Sequence, residues 1–556
     1  MKTITLLSLL LCVNTLFAQQ TVGLFTQDPG SLDGYVLFAP TRSDTTYLID
    51  KCGKEIHQWS SIYTPGLSAY LLPNGNLLRS GFYPNPYFNG PGGVIEIYDW
   101  NNTLLWSYVL CNAIETQNHD VYPMPNGNIL VAIWEKFTNA EAIAAGKNPA
   151  ALTNGLISAK IQEIQPVGSN MANIVWEWSL WDHLVQDFDA VKANYGVVTD
   201  HPELLNINFT NGNPGVVDWI HLNAVTYNEA LDQVMISNHT LSEIYIIDHS
   251  TTTAEAASHS GGAHGIGGDF LYRWGNPAAY DRGNASDQRL FSQHSPEWIP
   301  AGYPDANKIM IFNNGVNRPG GNASSVDIIS PPVDSAGNYY IAAGVAYDPV
   351  NPYWSYSDTV PVNFFSGIMG GSQRLPNGNT LICESTKGNF FEIDSAKNTV
   401  WRYVNPVNNF GRITQGTIPM GNLAYRSVYY PLSYSGFSGL TLTPGDPIEL
   451  NPLPYVCDMN TATGMNDLHS TTDKFISVNN PFNQTILLNS GKEIKNLTVT
   501  LYSITGNELF KWDAVSIHEK GQVNLPVNGH LPVGIYFLNY SNNEINGIEK
   551  LIKLNN

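Results

Sequence analysis

The sequence predicts an all-β protein: a six-bladed β-propeller closed by pairing of both chain ends in one blade, followed by a small C-terminal β-sandwich domain. Three observations carry this. Pro-Asn-Gly-Asn occurs three times between apolar runs, at 73–76, 125–128 and 376–379. Asn-Gly between such runs signals a hairpin, here expected as a type I′ turn with both central residues at positive φ. A tryptophan near the end of a short strand recurs six times, as Trp59, Trp106, Trp176, Trp274, Trp354 and Trp401. Before each lies an alternating apolar strand, four of which end near an acid, as in Phe390-Phe391-Glu392-Ile393-Asp394. A repeated unit of four antiparallel strands is the propeller signature.

The elements follow in order. Residues 1–18 read as a signal peptide: Lys2 precedes an apolar run from Ile4 to Val13, and Ala18 ends it. That run is too short to span a membrane, and no later stretch is long enough. Residues 19–455 hold the repeats. First strands are expected near 68–73, 119–124, 221–227, 294–299 and 371–375. The sixth blade is split: residues 34–60 supply three strands, and Ala424 to Tyr430 returns from the far end as the fourth. Pairing both ends this way removes free sheet edges. Insertions at 136–160 and 179–210 carry helix-like patterns; the stretch with Asp182-His183 and Asp187-Phe188-Asp189 reads as a helix packed on the rim, with a lid or substrate wall over the funnel as the alternative. Residues 456–475 are polar and read as a linker, and 476–556 as a separate β domain.

Composition narrows function. The chain has 556 residues, 13% charged, with a net charge of −20. So acidic a protein is a poor general binder of nucleic acid or anionic membrane, and an anionic substrate needs a local cluster of His or Arg. Cys52, Cys111, Cys383 and Cys457 have no metal-site spacing. Export permits one or two disulfides among them, with the pairing left open.

In a propeller, the first strands start on one rim, beside the loops between second and third strands. His119, His221 and His294 open three consecutive units. His239, Arg318 and Lys387 lie in loops of the same rim, Arg426 is on the closing strand, and Asn223 follows His221. Three histidines at matching repeat positions make this funnel the candidate site. Imidazoles there can bind a transition metal, act as general acid or base, or attack as nucleophiles beside cationic groups. His249, His259 and His264 read as exposed loop residues rather than metal ligands. No P-loop, GxSxG or HExxH pattern is present. Neither a cofactor nor a metal is expected.

Several stretches carry a resemblance. They include "NHDVYPMPNGNILVAIWE", "VWEWSLWDHLVQDFD", "DWIHLNAVTYNEALDQVMIS" and "QRLPNGNTLICES". Together, over roughly 34–450, they resemble the arylsulfotransferase family. That resemblance implies a six-bladed propeller moving a sulfuryl group from a phenolic sulfate ester to a phenol through a transiently modified His. His221 and His294 match funnel histidines of the family, and Arg318 its sulfate-binding Arg. The family's nucleophile position falls in Gly367-Ile368-Met369-Gly370, which holds no His. His119, His221 or His294 then takes that role, the acceptor attacks directly, or the protein binds such ligands without turnover. Residues 476–556, with "NPF", "LPVGIYFL" and "KLIK", resemble the type IX secretion C-terminal sorting domain. This implies handling by that machinery and an extracellular or surface-attached product.

Overall fold

The computed structural model describes residues 19–455 except Asn89, then Cys457, and 476–553 except 480, 504–507, 528–530 and 543–545. The expected signal peptide, and all of the expected 456–475 linker but Cys457, lie outside the described residues. The chain divides into two compact units, Met1–Ala462 and Thr463–Asn556.

The first unit is built on six antiparallel sheets, five of four strands and one of five, in which strands consecutive in the repeat pair. Val, Ile and aromatic residues dominate the strands, as pleated surfaces packed on one another favour. First strands are Pro65–Leu71, Glu115–Pro123, Leu222–Asn228, His294–Trp298 and Gly371–Arg374, as the repeat predicts. In the sixth sheet Ala424–Tyr430 pairs with Tyr35–Pro40, followed by Thr45–Asp50 and Glu55–Ser60. One strand escaped the sequence reading: Gly23–Gln27 adds a fifth strand to the last repeat by pairing with Thr399–Val404.

Hydrogen bonds stitch each sheet to the next. Leu71 N–H donates to Tyr430 Oη (2.8 Å) and Val121 N–H to Ser68 Oγ (3.2 Å). Asn118 Nδ2 donates to the Leu222 carbonyl (3.2 Å) and Asn223 Nδ2 to that of Gln293 (2.7 Å). Asn314 Nδ2 donates to the Met369 carbonyl (2.7 Å), and Tyr429 N–H to Gln373 Oε1 (2.8 Å). The repeated tryptophans do the same work on the outside. Trp59, Trp106, Trp274 and Trp401 donate Nε1–H to the carbonyls of Asp99, Met171, Pro349 and Lys51. Trp176 donates to Thr251 Oγ1. Trp354 instead lies beneath the cations of Arg374 and Lys397, 5.2 and 5.3 Å from its ring centre.

The three Pro-Asn-Gly-Asn turns share one geometry, and it is not the expected one. Gly75, Gly127 and Gly378 have φ of +85°, +86° and +91°, while the preceding asparagines stay on the negative side. Gly75, Gly127 and Gly378 N–H bond back to the carbonyls of Leu72, Met124 and Leu375. The proline at the second turn position presets φ near −65°, which selects a type I turn followed by a left-handed glycine. Alanine at Gly127 would meet nothing within 4 Å, whereas a Cβ at Gly75 would sit 2.6 Å from the Gly436 carbonyl. Gly127→Ala should therefore cost only the left-handed backbone term, about 1–2 kcal/mol. Gly75→Ala should lower the melting temperature further; equal melting temperatures would refute the contact.

The insertions are less helical than their patterns suggest. Residues 139–144 form a short helix capped by Thr138 and Glu141. The two ends of this insertion extend the strands Ile129–Phe137 and Leu156–Val167, and 145–155 between helix and strand is loop with a 3-10 turn at Pro149–Ala151. The expected rim helix at 179–210 is absent: 3-10 turns alternate there with a two-residue parallel pairing of Leu184–Val185 with Leu205–Asn206. Gln186 explains this, because its side chain bonds the backbone of Asp189 and Ala193 and holds a loop closed. Cys52 is disulfide-bonded to Cys457 across a sequence separation of 405, while Cys111 and Cys383 are free.

The second unit contains a three-stranded and a four-stranded antiparallel sheet around a core that includes Ile486, Leu488, Leu497, Leu501 and Leu538.

Candidate functional site

Four imidazoles form a row at the starts of the first strands and the adjoining loop. Ring centres are 4.7 Å apart from His119 to His221, 5.1 Å from His221 to His239 and 5.4 Å from His239 to His294. The strands break register here. Three residues, Asn118 to Asp120, bulge opposite Ala132, and the His294–Trp298 pairing also slips. His119 and Ser295 take φ of +55° and +49°. Bulges of this kind re-aim side chains at sheet ends. Trp134 lies behind the row, its ring 5.3 Å from His221 and 6.2 Å from His119.

The histidines are not equivalent. His221 Nδ1 donates to Asp218 Oδ2 (2.5 Å), and its Nε2 lies 3.3 Å from Nε2 of His119. A carboxylate on Nδ1 fixes the tautomer and leaves a lone pair on Nε2, so His119 Nε2–H is the donor in the contact between the two rings. Asp218, three residues before His221, is not among the residues expected at the site; the spacing in Asp218-Trp219-Ile220-His221 is its only signal. His119 is buried, with Nδ1 unpartnered. Burial, then the nearby His221, holds its pKa well below the usual imidazole range, so it is neutral. His239 is likewise pushed well down by burial, and its ring makes no hydrogen bond among the described residues. His294 has both nitrogens engaged: Nδ1 donates to Asn314 Oδ1 (2.8 Å) and Nε2 accepts from Met369 N–H (3.2 Å). Burial lowers its pKa to about 3. The backbone of Met369 thus meets His294 in the segment where the family resemblance expected a further histidine.

The other expected residues fall in different surroundings. Asn223 is fully buried; its amide stitches two sheets and its Oδ1 has no partner. Arg426 is a hub between sheets. Its guanidinium bonds Asp120, Tyr70, Tyr425 (2.8 Å) and Ser295 (2.8 Å). Asp120 neutralises that cation. Arg318 donates to Ser325 Oγ (2.9 Å) and lies over Phe291, without a carboxylate partner among the described residues. Lys387 is tied to Glu384 and to the carbonyls of Val362 and Asn363. His249 is clamped between Glu163 and Asp232 at 3.0 and 2.7 Å rather than exposed.

Along the strand from His294, Glu297 has a buried, unpartnered Oε1. Burial raises its pKa from 4.5 to about 8, against the pull of Arg426. An acid whose folded pKa is raised binds its proton more tightly when folded. Its contribution to stability is complete below about pH 4.5 and is lost as the pH rises towards 8. Glu297→Gln should match the parent near pH 4.5 and melt higher than it at pH 8. Melting curves that shift in parallel would show that Glu297 does not titrate this way.

Comparison with known proteins adds the family. No curated protein matches the chain. Solved structures with similarity include a Bacteroides caccae protein of unknown function (11% identity, TM-score 0.39, 72% of this chain and 99% of that one). AztD from Citrobacter koseri is 8% identical, with a TM-score of 0.32 over 72% of this chain and 99% of its own. Virginiamycin B lyase from Staphylococcus aureus is 10% identical, with a TM-score of 0.32 over 70% of this chain and 86% of its own. Residues 480–554 match the secretion system C-terminal sorting domain. The protein is exported across the outer membrane by the type IX system, to the cell surface or extracellular space. Among the described residues no helix is long and apolar enough to cross a membrane. Residues 87–417, more than half of the sequence, match the model of the arylsulfotransferase (ASST) family, and the chain belongs to that family.

Proposed function

We propose that the protein transfers a sulfuryl group from a phenolic sulfate ester to a phenol at the histidine row, with His221 as nucleophile. The observation that carries this is the Asp218–His221–His119 array. His221 Nε2 attacks sulfur as the S–O bond to the donor phenol breaks. Asp218 stabilises the ring as it becomes positive. The acceptor oxygen then attacks sulfur as the N–S bond breaks. The proton it gives up balances the one the released phenolate gains. His239 offers a neutral ring to the sulfuryl oxygens, and Arg318 supplies a cation without a carboxylate partner among the described residues. The reading also takes the six stitched sheets as one closed propeller over 19–455, the 456–475 segment as a linker and 476–556 as the separable sorting domain. Incubation with p-nitrophenyl sulfate and a phenol tests the activity; no nitrophenol above a buffer blank would refute it.

A second reading has its own observation. Both His294 nitrogens are occupied by protein groups and Arg426 is neutralised, which suits a surface-displayed module that binds aryl sulfates without turnover. Calorimetry showing binding, with no nitrophenol release, would favour it.

A further inference from the structure

A second cluster lies outside the histidine row, where the insertion after the second sheet meets the Ser/Gly-rich loop before Phe270–Trp274. His183 is fully buried and stacks parallel on Trp178, 5.4 Å between ring centres. Its Nε2 lies 2.8 Å from the Ala256 carbonyl, which can only accept, so Nε2 carries a proton. In the neutral ring Nδ1 is then a lone pair. That atom lies 2.7 Å from Asp269 Oδ1, and Nδ1 of His259 lies 2.8 Å from the same oxygen. A proton or a metal cation between Nδ1 and the carboxylate oxygen makes each of these short contacts attractive. A ligating histidine characteristically donates its other N–H to a carbonyl, as His183 does.

We propose that His183 Nδ1, His259 Nδ1 and Asp269 Oδ1 bind a divalent transition-metal cation, with Zn²⁺ the best match. Two imidazoles and one carboxylate form a common three-ligand zinc set. The three atoms lie within 4.8 Å of one another. Zinc bonds of ~2.0–2.2 Å in a tetrahedron set ligand atoms about 3.4 Å apart, so the two N···O distances of 2.7 and 2.8 Å must each open by roughly 0.6 Å. His259 can supply that movement, since its side chain is 60% exposed. Gly268 permits the close packing: a Cβ there would stand 2.1 Å from the Ala256 carbonyl oxygen and 2.7 Å from His183 Nε2. Two of the three ligands, His259 and Asp269, line a cavity of about 650 Å³ with His201, Glu203 and Tyr339, which leaves room for a water as fourth ligand. Binding releases to solvent any proton shared within the trio, so affinity falls as the pH falls. The ion would pin the insertion to the loop.

Titrating chelator-stripped full-length protein with ZnCl₂ by calorimetry tests this, with His239→Ala as the control for the histidine row. The expected result is one Zn²⁺ site per chain that persists in His239→Ala and weakens at least about tenfold in His259→Ala and His259→Gln. Zn²⁺ should also raise the melting temperature of the parent and of His239→Ala, but of neither His259 variant. Absence of binding to the parent, unchanged binding in the His259 variants, or loss in His239→Ala would each overturn the assignment.

Discussion

Replacing His221 by alanine should lower nitrophenol release from p-nitrophenyl sulfate by about 10³-fold or more, because a nucleophile has no substitute within the step it performs. Asp218→Asn should lower kcat by about 10²–10⁴-fold with little change in KM, since it disturbs the tautomer and the charged ring while leaving the funnel's shape intact. His294→Gln should have a smaller effect. Its nitrogens hold Asn314 and Met369, so it acts on the position of neighbours rather than on sulfur. Intact-mass analysis during turnover should find a sulfuryl adduct on the parent and none on His221→Ala. Full activity in His221→Ala, with loss in His119→Ala, would move the nucleophile to His119.

Asp120→Ala should be the most destabilising substitution near the site. Asp120 is fully buried and holds Arg426, while its oxygens also accept from Tyr70 Oη and Val225 N–H. Arg426 in turn bonds Ser295, and its side chain packs against Gly371, where a Cβ would stand 3.2 Å from Arg426 Cγ. All six sheets therefore meet at this pair. Removing the carboxylate leaves a buried, unpaired guanidinium, at a cost of about 3–5 kcal/mol. A double variant, Asp120→Leu with Arg426→Met, should melt above Asp120→Ala because no charge is stranded. If Asp120→Ala melts with the parent, the hub carries no such weight.

The fold was legible where the repeat was. Pro-Asn-Gly-Asn and the strand-end tryptophans located the first strands because each depends on local turn chemistry or on one repeated contact. The turn type was missed because Asn-Gly was weighed without the proline that presets the preceding φ. The insertion at 179–210 misled because its apolar spacing mimics a helix, whereas Gln186 captures the backbone. At the candidate site, the convergence of His119, His221 and His294 follows from equivalent repeat positions. What each nitrogen touches does not: Asp218 reaches His221 from three residues upstream, Asn314 follows the strand paired with that of His294, and Met369 leads into the next sheet. Asn223 and Arg426 looked available in sequence because their partners, Gln293 and Asp120, belong to other repeats.

The Cys52–Cys457 bond turns most of the first unit into a single covalent circle. A protease that cuts one surface loop between these two cysteines cannot divide the molecule; it only linearises the circle, and the pieces stay joined until a reductant is added. Cleavage beyond Cys457 would shed the tail and leave the circle whole. The bond also cannot form until both of its cysteines have been synthesised, so a closed circle certifies that the chain before it is complete.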